Sequence, residues 1–175
     1  MNVFRKILDA LSEADVDFVI IGGVAARRTD RHGSPFDLDV CYERSSANLE
    51  RLTKALRPYH PRLRGAPEGL PFLFDVETIR RGMNFTLTTD LGDLDVLGEI
   101  AGIGQHPQVL VFSESVEFLG RPYLVLSLDG LIRSKRTAGR SKDLEALTEL
   151  EAPENSAGAR AETRRLPMLD DGRML

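Results

Sequence analysis

Residues 18–23 (FVIIGG) and residues 37–40 (DLDV) decide the fold of this 175-residue chain. The β-branched apolar run Phe18–Ile21 predicts a buried strand, which Gly22 and Gly23 then end. Glycines directly after a strand let the backbone approach a ligand closely, and the N–H groups of a following helix can bind an anion. The sequence therefore predicts a phosphate-binding loop at the glycine pair.

The second stretch carries two aspartates on a predicted strand over residues 38–42. Alternate residues of a strand point to the same face, so Asp37 and Asp39 project together while Leu38 and Val40 point into the core. Two neighbouring like charges are unfavourable unless a cation lies between them. Carboxylate oxygens are the ligands that Mg²⁺ prefers. We therefore interpret Asp37 and Asp39 as metal ligands.

The Asp-x-Asp pattern also occurs at residues 15–17 and 93–95, so the context has to separate the three copies. Asp15 and Asp17 end a predicted helix, and no glycine loop follows in register with them. Asp95 lies in a predicted strand over residues 94–97, whereas we interpret Asp93 as a turn residue after Gly92. Asp95 is therefore the candidate for a third carboxylate.

These carboxylates can form one cluster if the strand of Asp95 lies beside the strand of Asp39, because adjacent strands are about 4.8 Å apart. Asp37, Asp39 and Asp95 could then hold two cations. Two metal ions can stabilise both the attacking and the leaving oxygen of a phosphoryl displacement.

Composition excludes several classes of protein. Hydrophobic residues make up 42% of the chain and charged residues 29%, as in an ordinary globular protein. The apolar runs are too short to cross a bilayer, and we find no signal peptide after Met1. A single cysteine, Cys41, excludes an intrachain disulfide and a CxxC-type zinc site. We expect a cytoplasmic protein without membrane contact, with Cys41 in its core.

The rest of the pattern predicts an α/β (α+β) fold, a mixed β-sheet with flanking helices. We expect one domain over residues 1–151 and a disordered tail over residues 152–175, which are poor in large apolar side chains. Helices are predicted over residues 3–14 and 142–150, up to about residue 56 after a cap at Ser45 or Ser46, and over residues 128–135 after a cap at Ser127. A short helix is one interpretation of residues 72–81, and a proline-rich loop is predicted over residues 59–71. Further strands are predicted over residues 84–88, 109–112, 115–119 and 123–126.

A basic block interrupts this acidic chain, whose formal net charge is −4. Residues 133–142 contain five Lys or Arg residues and no acidic residue. The block is interpreted either as an anion-binding face or as a solvated helix flank.

Residues 18–25, 37–40 and 92–97, together with residues 126–135 and 139–144, resemble the DNA polymerase β-type nucleotidyltransferase superfamily. Within it, the chain resembles the small bacterial branch that includes AbiEii-like toxins and related nucleotidyltransferases. The resemblance extends from about Asp17 to Leu150 and implies a nucleotidyltransferase fold.

The resemblance also implies roles for single residues. Gly22 and Gly23, with Ser34 as the nearby hydroxyl, would bind the nucleotide phosphates. Asp37, Asp39 and Asp95 would hold two Mg²⁺ ions, with Asp95 accepting the proton of the attacking hydroxyl. Lys135 would contact phosphate, and Asp143 would support Lys135 or the metal site.

The activity implied is transfer of a nucleoside monophosphate from an NTP to a hydroxyl. In relatives the acceptor is the 3′ end of tRNA, with a cognate antitoxin protein as partner, or it is an antibiotic hydroxyl. Two departures leave another class open. Ser34 is displaced from the usual hydroxyl position, and Ala146 stands where relatives have Asp. The alternative is a degenerate fold that binds a nucleotide or a protein without catalysis.

Overall fold

The computed structural model describes residues 3–21, 38–67 and 69–139. Within these ranges, the helices are α1 (Val3–Glu13), α2 (Ser46–Leu56), a 3₁₀ turn (Arg57–Tyr59), α3 (Val76–Arg81), α4 (His106–Val111) and α5 (Leu128–Ala138). The strands are β1 (Phe18–Ile21), β2 (Leu38–Tyr42), β3 (Arg62–Leu63), β4 (Asn84–Thr89), β5 (Gly92–Leu97), β6 (Glu99–Ile100), β7 (Gly104–Gln105), β8 (Ser113–Phe118) and β9 (Arg121–Leu126).

Seven of these strands form one sheet in the order β3-β4-β5-β2-β1-β9-β8, and β6 pairs with β7 separately. Strand β2 is parallel to β5, and β1 is parallel to β9. The other neighbours in the large sheet are antiparallel. The sheet is therefore mixed, and helices pack on it, which confirms the fold class predicted from the sequence.

One side of the sheet carries the larger apolar cluster. On β2, Leu38, Val40 and Tyr42 alternate onto this side and are fully buried. Helices α1 and α2 cover it with apolar residues at helical spacing, so each helix presents one continuous stripe to the sheet. These helix residues are Ile7, Leu8, Leu11, Leu49, Leu52 and Leu56.

The other side carries a smaller cluster, to which α4 contributes Val109 and α5 contributes Leu131. Cys41 of β2 lies in this cluster, and Asp39 has the same parity along the strand, so it projects from this side as well. The smaller apolar cover leaves room here for polar side chains. This is the side on which a site can form.

The structure corrects the sequence prediction in three places. Residues 109–112, predicted as a strand, lie at the end of helix α4, which starts after the extended residue Gln105 and has a proline in its first turn. Asp93, interpreted as a turn residue, lies within β5. The predicted loop over residues 59–71 contains the short edge strand β3.

Other predictions fall partly or wholly outside the described residues. These are the helix over residues 142–150, the tail over residues 152–175 and the end of the domain at residue 151. Within the described ranges, no helix has both the length and the apolar character that crossing a bilayer requires.

A buried asparagine ties α2 to the ends of two strands. The side chain of Asn48 is fully buried, and its Oδ1 accepts the backbone N–H of Asp17 at 2.8 Å. Its Nδ2 donates to the carbonyls of Asp17 at 3.0 Å and Glu43 at 2.7 Å. One amide therefore satisfies three backbone groups just before β1 and just after β2.

We predict that Asn48→Ala lowers the free energy of unfolding by about 3 kcal/mol, because it leaves buried backbone groups without partners. The measurement is the urea midpoint at constant m-value. Lys54→Ala on the exposed face of α2 is the control and should change stability by less than about 0.5 kcal/mol. Equal midpoints for both variants would contradict the assigned role.

Cys41 gives a second prediction. Burial raises the pKa of its thiol to about 12, and the thiolate is the reactive form. At pH 8 the folded protein should therefore leave a chromogenic disulfide reagent unreacted for hours. The same protein unfolded in concentrated urea should react with one equivalent of the reagent, because unfolding exposes the thiol. Rapid stoichiometric reaction without denaturant would show that Cys41 is accessible.

Candidate active site

Two predicted carboxylates lie side by side in the structure. Strand β2 pairs in parallel with β5, and Asp39 is directly opposite Asp95. Residues opposite each other on neighbouring strands project from the same face, and the strands are about 4.8 Å apart. From the sequence, the carboxylates could cluster only if the strand of Asp95 lay beside the strand of Asp39. The structure shows that β5 does lie beside β2.

The two carboxylates line a cavity of about 380 Å³, which we call the site cavity. Its apolar wall includes Ile21, Leu97, Ile100 and Leu131. Its polar residues are Asp39, Asp95, Asn84, Thr86, Glu99, Ser134 and Lys135. A concave, partly apolar space with a few convergent polar groups is the usual form of a small-molecule site.

Helix α5 brings the lysine to this cavity. Ser127 caps the helix by accepting the N–H of Gly130, and Gly139 ends it in the left-handed region at φ 62°. Leu131 is buried against the sheet, and Lys135 lies one turn further along, on the same face of the helix. The predicted phosphate ligand therefore lies in the same cavity as Asp39 and Asp95, with a half-buried side chain.

An arginine that the sequence did not single out contacts the carboxylates of β5. The Nη2 atom of Arg64 lies 2.5 Å from Oδ1 of Asp95, and its Nε lies 3.4 Å from Oδ2 of Asp93. Asp93 and Asp95 are two residues apart on one strand and therefore project from the same face, which could have indicated that they share a partner. Nothing in the local sequence around Arg64 indicated that it would be that partner.

The basic block is divided in the structure. Arg133 donates from Nε to the carbonyl of Gly102 at 2.6 Å, and its guanidinium lies 5.4 Å from the centroid of Phe112. Lys135 lines the site cavity, whereas Arg136 is exposed. These described members of the block therefore have different surroundings.

Five predicted site residues lie outside the described part of the chain: Gly22, Gly23, Ser34, Asp37 and Asp143. Their roles stay predictions. Ile21, the residue before the glycine pair, lines the site cavity and pairs with Asp39 across β1 and β2.

The donor chemistry of the site cavity suits a hard divalent cation. Asp39 and Asp95 offer carboxylate oxygens on neighbouring strands, and Mg²⁺ is commonly held by one or two carboxylates plus substrate phosphates. In the described ranges, no group of three or more His, Cys, Asp and Glu side chains comes together as a metal site. Asp37, the further predicted ligand, lies outside those ranges.

No family model and no curated protein matches the chain. Solved structures do match it. A protein assigned as a nucleotidyltransferase from Thermotoga maritima has 19% identity and a TM-score of 0.51, with 84% of this chain and 89% of that chain covered. The lincosamide antibiotic adenylyltransferase LnuA, bound to lincomycin, has 12% identity and a TM-score of 0.51, with 86% and 95% covered. The chain therefore has the fold of these nucleotidyltransferases.

Proposed function

We propose that this protein is an Mg²⁺-dependent nucleotidyltransferase that moves a nucleoside monophosphate from an NTP to a hydroxyl group. The observation that carries the proposal is the in-register pair Asp39 and Asp95, which lines one cavity together with Lys135. The fold shared with nucleotidyltransferases supports the same reaction class.

Each residue then has a distinct task. Asp39 and Asp95, with Asp37, would hold two Mg²⁺ ions, which would supply positive charge to neutralise the phosphates. Asp95 accepts the proton of the acceptor hydroxyl. The hydroxyl oxygen forms a bond to the α-phosphorus as the bond to the leaving pyrophosphate breaks. Lys135 donates to a phosphate oxygen, and positioning accounts for most of the rate gain.

The residues outside the described ranges complete the proposal. The backbone of Gly22 and Gly23, with the Ser34 hydroxyl, binds phosphate oxygens. Asp143 supports Lys135 or the metal site. These assignments rest on the sequence and its resemblance to the superfamily.

Among acceptors, we favour a small-molecule hydroxyl over the 3′ end of tRNA. The match to the lincosamide antibiotic adenylyltransferase covers 95% of that protein's chain, so the two proteins share nearly the whole of its fold. That likeness supports a small-molecule acceptor. Arg133 is engaged by Gly102 and Phe112, which weakens the case for an RNA-binding face along α5. A tRNA acceptor with an antitoxin partner is the second candidate, supported by the AbiEii-like sequence pattern.

The first test incubates the protein with each α-³²P-labelled NTP and Mg²⁺, together with either total tRNA or a panel of hydroxylated antibiotics. Label in an antibiotic supports the favoured acceptor, and label in tRNA supports the toxin interpretation. A third outcome would support the non-catalytic binding fold. In that outcome an NTP with Mg²⁺ raises the Tm of the protein, but no label reaches an acceptor and no pyrophosphate is released.

We predict that Asp39→Asn lowers the rate of pyrophosphate release at least about a thousandfold, because it removes charge from a metal ligand without changing side-chain size. The control is Asp90→Asn, which changes an exposed aspartate in the β4–β5 turn that pairs with His60. Its rate should match that of the wild type. Comparable rates for Asp39→Asn and the wild type would exclude Asp39 as a ligand.

Lys135→Ala should raise KM for the NTP about tenfold with a smaller effect on kcat, because a charge-assisted contact to the bound phosphate is lost. Initial rates over a range of NTP concentrations measure both constants. Lys6→Ala, on an exposed position of α1, is the control and should leave both unchanged. An unchanged KM in Lys135→Ala would place the phosphates elsewhere.

A further inference from the structure

Arg64 forms ion pairs with both aspartates of β5 and a hydrogen bond with Asp95. Its guanidinium contacts Asp95 through Nη2 and Asp93 through Nε. The other oxygen of Asp93 accepts from the hydroxyl of Thr88 at 2.9 Å. The two carboxylates are therefore held from the side of β3 and β4, while Asp39 of β2 lies on the opposite side of Asp95.

The sheet topology explains how this contact forms. Arg64 directly follows β3, and its backbone N–H donates to the carbonyl of Thr86 at 2.9 Å. Strand β4 lies between β3 and β5, so the side chain has to cross about two strand spacings, roughly 10 Å. The residues of β4 opposite Asp95 and Asp93 are Thr86 and Thr88, which are small enough to leave that path open.

The ion pair between Arg64 and Asp95 is partly buried, so losing one partner would be costly. The side chains of Arg64 and Asp95 are 27% and 19% exposed, and a partly buried charge is costly without a partner of opposite sign. Asp39 adds a further negative charge beside Asp95. Without a metal ion, Arg64 supplies compensating positive charge next to the carboxylates that the proposed reaction uses.

We propose that Arg64 is a positioning residue for the metal site: it orients the Asp95 carboxylate for the reaction and balances its charge until a divalent cation arrives, at some cost in metal affinity. Arg64 acts through Asp95, since the cavity wall in the described ranges includes Asp95 but not Arg64. The planar guanidinium suits this task because it can contact two carboxylates at fixed geometry. This inference rests on the proposed function, because it assigns Asp95 to the metal site.

The test compares Arg64→Gln with the wild type in EDTA and in Mn²⁺, with thermal unfolding and Mn²⁺ titration followed by EPR. In EDTA the variant should have the lower Tm, because a positive charge next to two neighbouring carboxylates has been removed. Mn²⁺ should raise the Tm of the variant more than that of the wild type. The variant should bind Mn²⁺ about fivefold more tightly, because a neighbouring positive charge has been removed.

Two further variants separate positioning from a merely structural ion pair. Arg62→Gln changes an exposed arginine of the same strand and should behave as the wild type in every assay. Arg64→Lys keeps the charge and should recover most of the Tm in EDTA. In an Asp95→Asn background, Arg64→Gln should no longer tighten Mn²⁺ binding, because the residue through which Arg64 acts has lost its charge.

The proposal is overturned if Arg64→Gln lowers the Tm equally in EDTA and Mn²⁺ with unchanged Mn²⁺ affinity. Where the enzyme turns over, kcat of Arg64→Gln should fall about tenfold as the carboxylate loses its orientation. The metal and stability readouts need no turnover. If the wild type binds Mn²⁺ but transfers no nucleotide, the proposed reaction fails while the role of Arg64 is still decided.

Discussion

The parallel, in-register pairing of β2 with β5 is the constraint on which the rest of the site depends. Leu38 and Val40 of β2 pair with Leu94 and Val96 of β5, and all four side chains are buried in the larger cluster. A slip of one residue would move these apolar side chains out of the core and bring the intervening aspartates into it. Hydrophobic burial therefore fixes the register, and the register places the carboxylates side by side.

The two sides of the sheet have different tasks. The side covered by α1 and α2 holds the larger share of the buried apolar residues. The opposite side is covered less completely by α4 and α5, and it contains the site cavity. Separating the main core from the site in this way lets charged groups collect on one side without the cost of burying them in the centre of the core.

Local pattern predicted those elements whose periodicity is unambiguous. The β-branched run of β1 and the alternation in β2 and β5 gave the correct strands, and Ser45 and Ser127 are N-caps as their helices require. The prediction was wrong at residues 109–112, where a short apolar run resembles a strand. That run belongs to a helix because His106 and Val109, three residues apart, face the core together.

By itself the sequence determined that Leu38 and Val40 are core residues and that Asp39 projects from the opposite face, because both follow from the two-residue period of a strand. It also placed Lys135 on the same helix as Leu131, because both belong to the run that follows the cap at Ser127. Only the tertiary structure decided that Asp95 lies opposite Asp39 and that Arg64 crosses β4 to reach it. Those contacts join residues far apart in the chain, and strand order across the whole sheet sets them, which no local pattern encodes.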